Sequence, residues 1–131
     1  MNQWREAMKA RTHEFSVGVI LLLRTIPDRS DTRRVKDQLA GAASGLDLNW
    51  RAACRARTHK EFTARLGTVL EEADEAEGCL DTIWDAHISQ TPETKRLRVE
   101  SKELRSIFAK ASHTAERNER SRQTGRPREG P

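Results

Sequence analysis

Between Phe62 and His87 the seam positions fall four and three residues apart: Phe62, Leu66, Val69, Ala73, Ala76, Leu80, Ile83 and His87. A strand would scatter these side chains to both faces, whereas an α-helix lines them up on one stripe. Leu70, Trp84 and Ile88 widen the stripe into a face that suits packing on more than one side. One wet and one dry face call for partner helices elsewhere in the chain.

Those partners are legible on both sides. From about Gln3 to Ile26, the residues Trp4, Met8, Phe15, Val19, Leu22, Leu23 and Ile26 share one helical face, and Pro27 ends the pattern. Ser30 or Asp31 can cap a second helix, with Val35, Leu39, Ala42, Leu46 and Ala53 on a seam that also passes through Asn49. Thr58 to Glu61 reads as a capping box opening the third helix. Thr91, Pro92 and Glu93 read as N-cap, first-turn proline and dipole-compatible acid of a fourth, through Leu97, Leu104, Ile107, Phe108 and Ala111.

The expected fold is therefore all-α, an antiparallel up-down-up-down four-helix bundle over residues 1–112. Its second helix, rich in small residues from Ala40 to Ala53, is expected to be the most enclosed. From His113 the pattern fades, and residues 113–131 read as a disordered, Arg-rich basic tail. A chain of 131 residues has room for one such core. Seven glycines, four prolines and no tyrosine leave little material for strands and hairpins.

Several function classes find no support. The longest apolar run, Val19 to Leu23, is too short to span a bilayer, and the polar stretch from Met1 to Phe15 does not resemble a secretory signal. No membrane partner is expected. Measured from a hairpin near Thr58, Cys54 lies about 6 Å and Cys79 roughly 30 Å along their helices, too far apart to bridge. Both read as small buried hydrophobes, with a cytoplasmic location following by default.

Glu-x-x-His pairs, His-x-x-x-His pairs, Cys-x-x-Cys pairs, nucleophile elbows and phosphate-binding glycine loops are all missing from the sequence. The expectation is no catalytic residue, no metal and no cofactor.

Charge is segregated instead. Arg51, Arg55, Arg57, Lys60 and Arg65 surround the second hairpin, a block of net +4 with Glu61 included. Glu71, Glu72, Asp74, Glu75, Glu77, Asp81 and Asp85 follow as a block of −7. Such blocks suit a basic rim for phosphates or ion pairing between subunits; solvated helix faces show them too. Asn49 has two readings: an inter-helix hydrogen bond that sets register, or a rotated helix that turns it to solvent beside Trp50.

The run Asn49-Trp50-Arg51-Ala52-Ala53-Cys54-Arg55-Ala56-Arg57, with Lys60-Glu61-Phe62, Leu66-Gly67 and Leu70 to Glu75, carries a more specific signal. From Gln38 through Ile83, without gaps, the chain resembles the four-helix bundle protein family first noticed in intervening sequences of bacterial large-subunit ribosomal RNA genes. One subgroup reads Asn-Tyr-Arg-Ala-Ala-Cys-Arg-Ala-Arg at the same place. Trp50 replaces its tyrosine, Asp47 a common small residue, and Gly78-Cys79 an aromatic pair.

The resemblance implies an antiparallel bundle that assembles with itself, commonly as a ring of five, with a basic surface. A related retroelement accessory protein forms such a ring and binds nucleic acid beside a reverse transcriptase. Two expectations follow. In the first, a non-enzymatic homo-oligomer contacts RNA or DNA phosphates through Arg51, Arg55, Arg57, Lys60 and Arg65. In the second, the same cations pair with Glu72, Asp74 and their neighbours on an adjoining subunit, in a purely structural module. Asn49 and Trp50 are assigned to structure or assembly in both.

Overall fold

The computed structural model describes residues 2–125. Four helices run α1 Gln3–Leu23, α2 Arg33–Cys54, α3 His59–Asp85 and α4 Pro92–Thr124. Each packs on its sequence neighbours, and α1 closes against α4, while the diagonal pairs meet only through long side chains across the core. Cross-helix contacts run in opposite senses: His13 meets Asp47, Trp50 meets Arg5, and Arg11 meets Glu100 while Gly18 meets Leu97. The bundle is antiparallel and up-down-up-down.

The helix ends follow local chemistry. Asn2 Oδ1 accepts from the amides of Trp4 and Arg5 at 2.8 and 3.3 Å, starting α1. Thr58 Oγ1 accepts from Glu61 N–H at 3.0 Å, as a capping box requires, while the Glu61 carboxylate reaches one residue further back, to Arg57 N–H at 3.1 Å. Thr91 Oγ1 accepts from Thr94 N–H at 3.1 Å with Pro92 in the first turn.

Neither Ser30 nor Asp31 caps α2. Thr32 precedes it, with a hydroxyl turned back into the loop, donating to Pro27 C=O and accepting from Arg29 N–H. The third-helix stripe is buried from Leu66 through Ile83, but α3 stops at Asp85, leaving His87 exposed with a left-handed φ of 58°.

The core contains Phe15, Val19, Leu39, Leu46, Trp50, Leu66, Val69, Leu80, Ile83, Leu97, Leu104 and Phe108, all essentially without solvent exposure. The α2 seam turns through Trp50, not Asn49. Asn49 is half-buried and donates to Gly45 C=O of its own helix at 2.8 Å, so the inter-helix bond considered for it is not formed.

The small-residue face of α2 is also divided. Ala42, Ala43 and Ala53 are buried, a Cβ on Gly45 would overlap the Glu72 carboxylate, and Gly41 faces open space. It is not enclosed throughout.

The largest departure is at the end of the chain. Helix α4 continues without a break to Thr124, closed by Gly125 in the left-handed conformation at φ 76°. Residues 113–124, expected as disordered tail, are helical because Ser112, Ala115 and Asn118 keep the helical step and pack inward. Arg126 and Arg128 lie outside the described residues.

Arg11 clasps α1 to α4, donating to both Glu100 oxygens at 2.8 Å and to Glu103 at 2.5 Å. Two turns on, a Cβ at Gly18 would come within 3.1 Å of the Leu97 side chain, so glycine there lets α1 and α4 approach closely.

Candidate functional site

Antiparallel packing gathers the first turn of α1, the last turn of α2, the 55–58 connection, the first turn of α3 and the last turns of α4 at one end. Trp50 anchors this end. Its indole N–H donates to Arg5 C=O at 3.3 Å, and its ring lies 5.5 Å from Trp4, 6.3 Å from Phe62 and 5.2 Å from Phe108. These are edge-on or tilted contacts favoured by ring quadrupoles. The Arg5 guanidinium sits 4.3 Å over the Phe62 ring.

Around this anchor the expected cations do not behave alike. Arg51 donates to Asp47 at 3.2 Å, and Asp47, only 6% exposed, also holds His13 at 3.1 Å. Arg65 lies 3.5 Å from Glu61. The Glu61 carboxyl is held below its usual range, first by the Arg57 amide, against partial burial, and then by Arg65. Arg55, Arg57 and Lys60 are exposed, and Arg55 and Lys60 make no ion pair among the described residues.

Arg5, Lys9 and Arg55 share one electrostatic neighbourhood. Burial pushes the Cys54 thiol up; these three cations oppose that rise, and Glu6, paired with Lys9 at 2.9 Å, adds to it. The N-termini of α1 and α3 stand here beside the C-termini of α2 and α4, so the helix dipoles largely offset one another and the positive charge is that of the side chains. The arrangement can bind anions at several points, with aromatic surface between them.

The acidic block is partly used within the chain. Glu77 pairs with Arg105, and Asp81 accepts from Arg98 at 3.0 Å, fastening α3 to α4. Asp74 is exposed. Glu72 lies half-buried across Gly45 without a hydrogen bond or ion pair among the described residues. Its carboxyl is pushed up, first by burial and then by Glu75 and Glu71.

Sequence reasoning singled out Arg51, Arg55, Arg57, Lys60 and Arg65, and the structure brings them to this end, while Glu72 and Asp74 lie further along the α2–α3 side. It missed Arg5, His59 and the buried Asp47. Arg5 was discoverable, because it adjoins Trp4 on the face that meets Trp50.

Among the described residues no group of three or more His, Cys, Asp or Glu side chains could hold a metal ion. No helix among them is long and apolar enough to cross a membrane.

Fold and site together define an all-α antiparallel four-helix bundle with a cationic, aromatic end. No protein-family model matches the chain, and no curated protein matches its sequence. Among solved structures, it is similar to a protein of unknown function from the S23 ribosomal protein family of Bacteroides thetaiotaomicron. The TM-score is 0.72 at 19% identity, over 79% of this chain and 96% of that one. At that identity the likeness is one of fold.

Proposed function

We propose that this protein is a non-enzymatic, cytoplasmic member of the intervening-sequence four-helix bundle family, that it assembles with itself, as a ring of five, and that its cationic end contacts RNA or DNA phosphates. The observation that carries the nucleic-acid reading is the exposed group Arg55, Arg57 and Lys60 beside Arg5, of which Arg55 and Lys60 make no ion pair among the described residues. Phosphate contacts of this kind bind without sequence preference and weaken steeply with salt. The S23 ribosomal family name of the structural neighbour makes RNA the first ligand to try.

Assembly draws support from a different place. Glu72 is desolvated without a counter-charge, and Leu48, 60% exposed, projects nearby from the outer face of α2. Val17, Ile20 and Leu21 on α1 are exposed as well. A neighbouring subunit's cations and apolar side chains would satisfy both demands.

Light scattering with and without a mixed RNA and DNA oligonucleotide pool, at low and moderate salt, tests the two parts. The expected result is a ring-sized particle that takes up nucleic acid at low salt and releases it at moderate salt. A ring that ignores nucleic acid at low salt removes the phosphate reading and leaves the structural module. A monomer removes assembly; Glu72→Lys with Asp74→Lys is expected to mainly spare the ring, and a ring broken by it favours the structural module whose cations pair with these acids between subunits.

A further inference from the structure

Beside the exposed cations lies a cavity of about 300 Å³, between the first turns of α1 and α3 and the last turns of α4. Trp4, His59 and Phe62 supply flat walls, Leu66, Ala111 and Ala115 an apolar lining, and Asn2, Arg5, Thr114 and Asn118 polar edges. This size is at the lower bound for small-ligand sites, enough for one ring system.

The polar groups suit a heterocycle. Asn2 Oδ1 is committed to the α1 cap, which leaves its amide N–H₂ to donate. His59 Nε2 lies 3.1 Å from Ala115 C=O, which can only accept, so Nε2 donates there, with Glu119 Oε2 3.7 Å from the same nitrogen. Thr114 can donate or accept. A mixed donor and acceptor edge between aromatic walls, with Arg5 beside it, matches the edge of a nucleobase joined to a phosphate.

We infer that this cavity receives one unstacked nucleobase of a single-stranded nucleic acid whose phosphates run along Arg55, Arg57 and Lys60. The inference rests on the nucleic-acid reading above and adds to it the state of the strand. A base in a duplex is hidden in its stack and cannot enter, whereas a single strand presents its bases for stacking on aromatic side chains at little cost.

The test compares, by fluorescence anisotropy at fixed salt, a short labelled single strand with an abasic strand of the same length and charge. The base-bearing strand is expected to bind about tenfold more tightly. Trp4→Ala should erase that margin while leaving abasic binding intact. Thr114→Leu, which narrows the cavity without removing a core residue, should do the same.

Equal affinity for the two strands overturns the cavity assignment and leaves the phosphate reading standing. If neither strand binds at low salt, both readings fall. A free nucleoside monophosphate that binds as tightly as the strand shows a mononucleotide site, and overturns the assignment to a polymer.

Discussion

The two ends of the bundle solve the same problem in different ways. At the end formed by residues 24–32 and 86–91, the chain satisfies itself. Thr32 bridges Pro27 and Arg29, Lys36 Nζ donates to Ile26 C=O at 2.7 Å, and Gln90 donates to Trp84 C=O at 2.9 Å. Thr94, fully buried, shares hydroxyl hydrogen bonds with Ser89 and Thr91. At the opposite end Arg55 and Lys60 lack ion-pair partners among the described residues, and aromatic rings border a cavity. The first end satisfies its loop backbone, although Arg24, Arg34 and Lys95 there are exposed without ion pairs among the described residues; the aromatic-walled cavity beside its cations sets the other end apart.

If the open end were merely loose, its aromatic anchor would matter little. Trp50→Ala is instead expected to cost about 3–5 kcal/mol, because the indole is fully buried and touches three other rings. Denaturant unfolding measures this, and a loss below about 1 kcal/mol would erase the contrast.

Thr94→Val at the closed end removes hydroxyl bonds and keeps the shape, so a smaller loss of about 1–2 kcal/mol is expected by the same measurement.

Glu72 gives a still smaller effect, of opposite sign. Its folded-state pKa is raised, so the folded protein binds the proton more tightly than the unfolded chain does. Stability on its account falls as pH rises from the ordinary carboxylate range through that raised value. Glu72→Gln should therefore raise the melting temperature slightly at neutral pH in the unassembled protein, with the gain vanishing below about pH 4. An unchanged or lowered melting temperature at neutral pH would mean that Glu72 already has a counter-charge.

The triple variant Arg55→Ala, Arg57→Ala, Lys60→Ala is expected to leave stability within about 0.5 kcal/mol. Its salt slope for nucleic-acid binding should become shallower by about three. A large loss of stability would show that these cations serve the fold.

The architecture was legible because it depends on spacing and on caps, which are local. Thr58 with Glu61 and Thr91 with Pro92 mark helix starts by chemistry contained in four residues. The α2 seam was harder. Asn49 and Trp50 are one step apart, and a rotation of about 100° decides which faces the core; the size of the indole settles it, since the core rings gather around Trp50.

The length of α4 was missed because Ser112, Ala115 and Asn118 are buried without being strongly apolar. Their neighbours, His59 and the start of α1, lie far away in sequence. The cationic block was readable as composition. Its two neutralised members were readable too, since Arg51 with Asp47 and Arg65 with Glu61 form (i, i+4) pairs on their own helices.

The Arg11 clasp has a consequence in time. Three of the four inter-helix seams join neighbours along the chain, so each can zip as a hairpin after a short loop search. The seam between α1 and α4 must wait until residues about ninety positions apart meet. It is the last to close and, lined by the narrow contact at Gly18 and a half-exposed ion-pair cluster, the first to open. Amide exchange should therefore reach α1 before α2 or α3, and the molecule would breathe along that one edge while the other three hold.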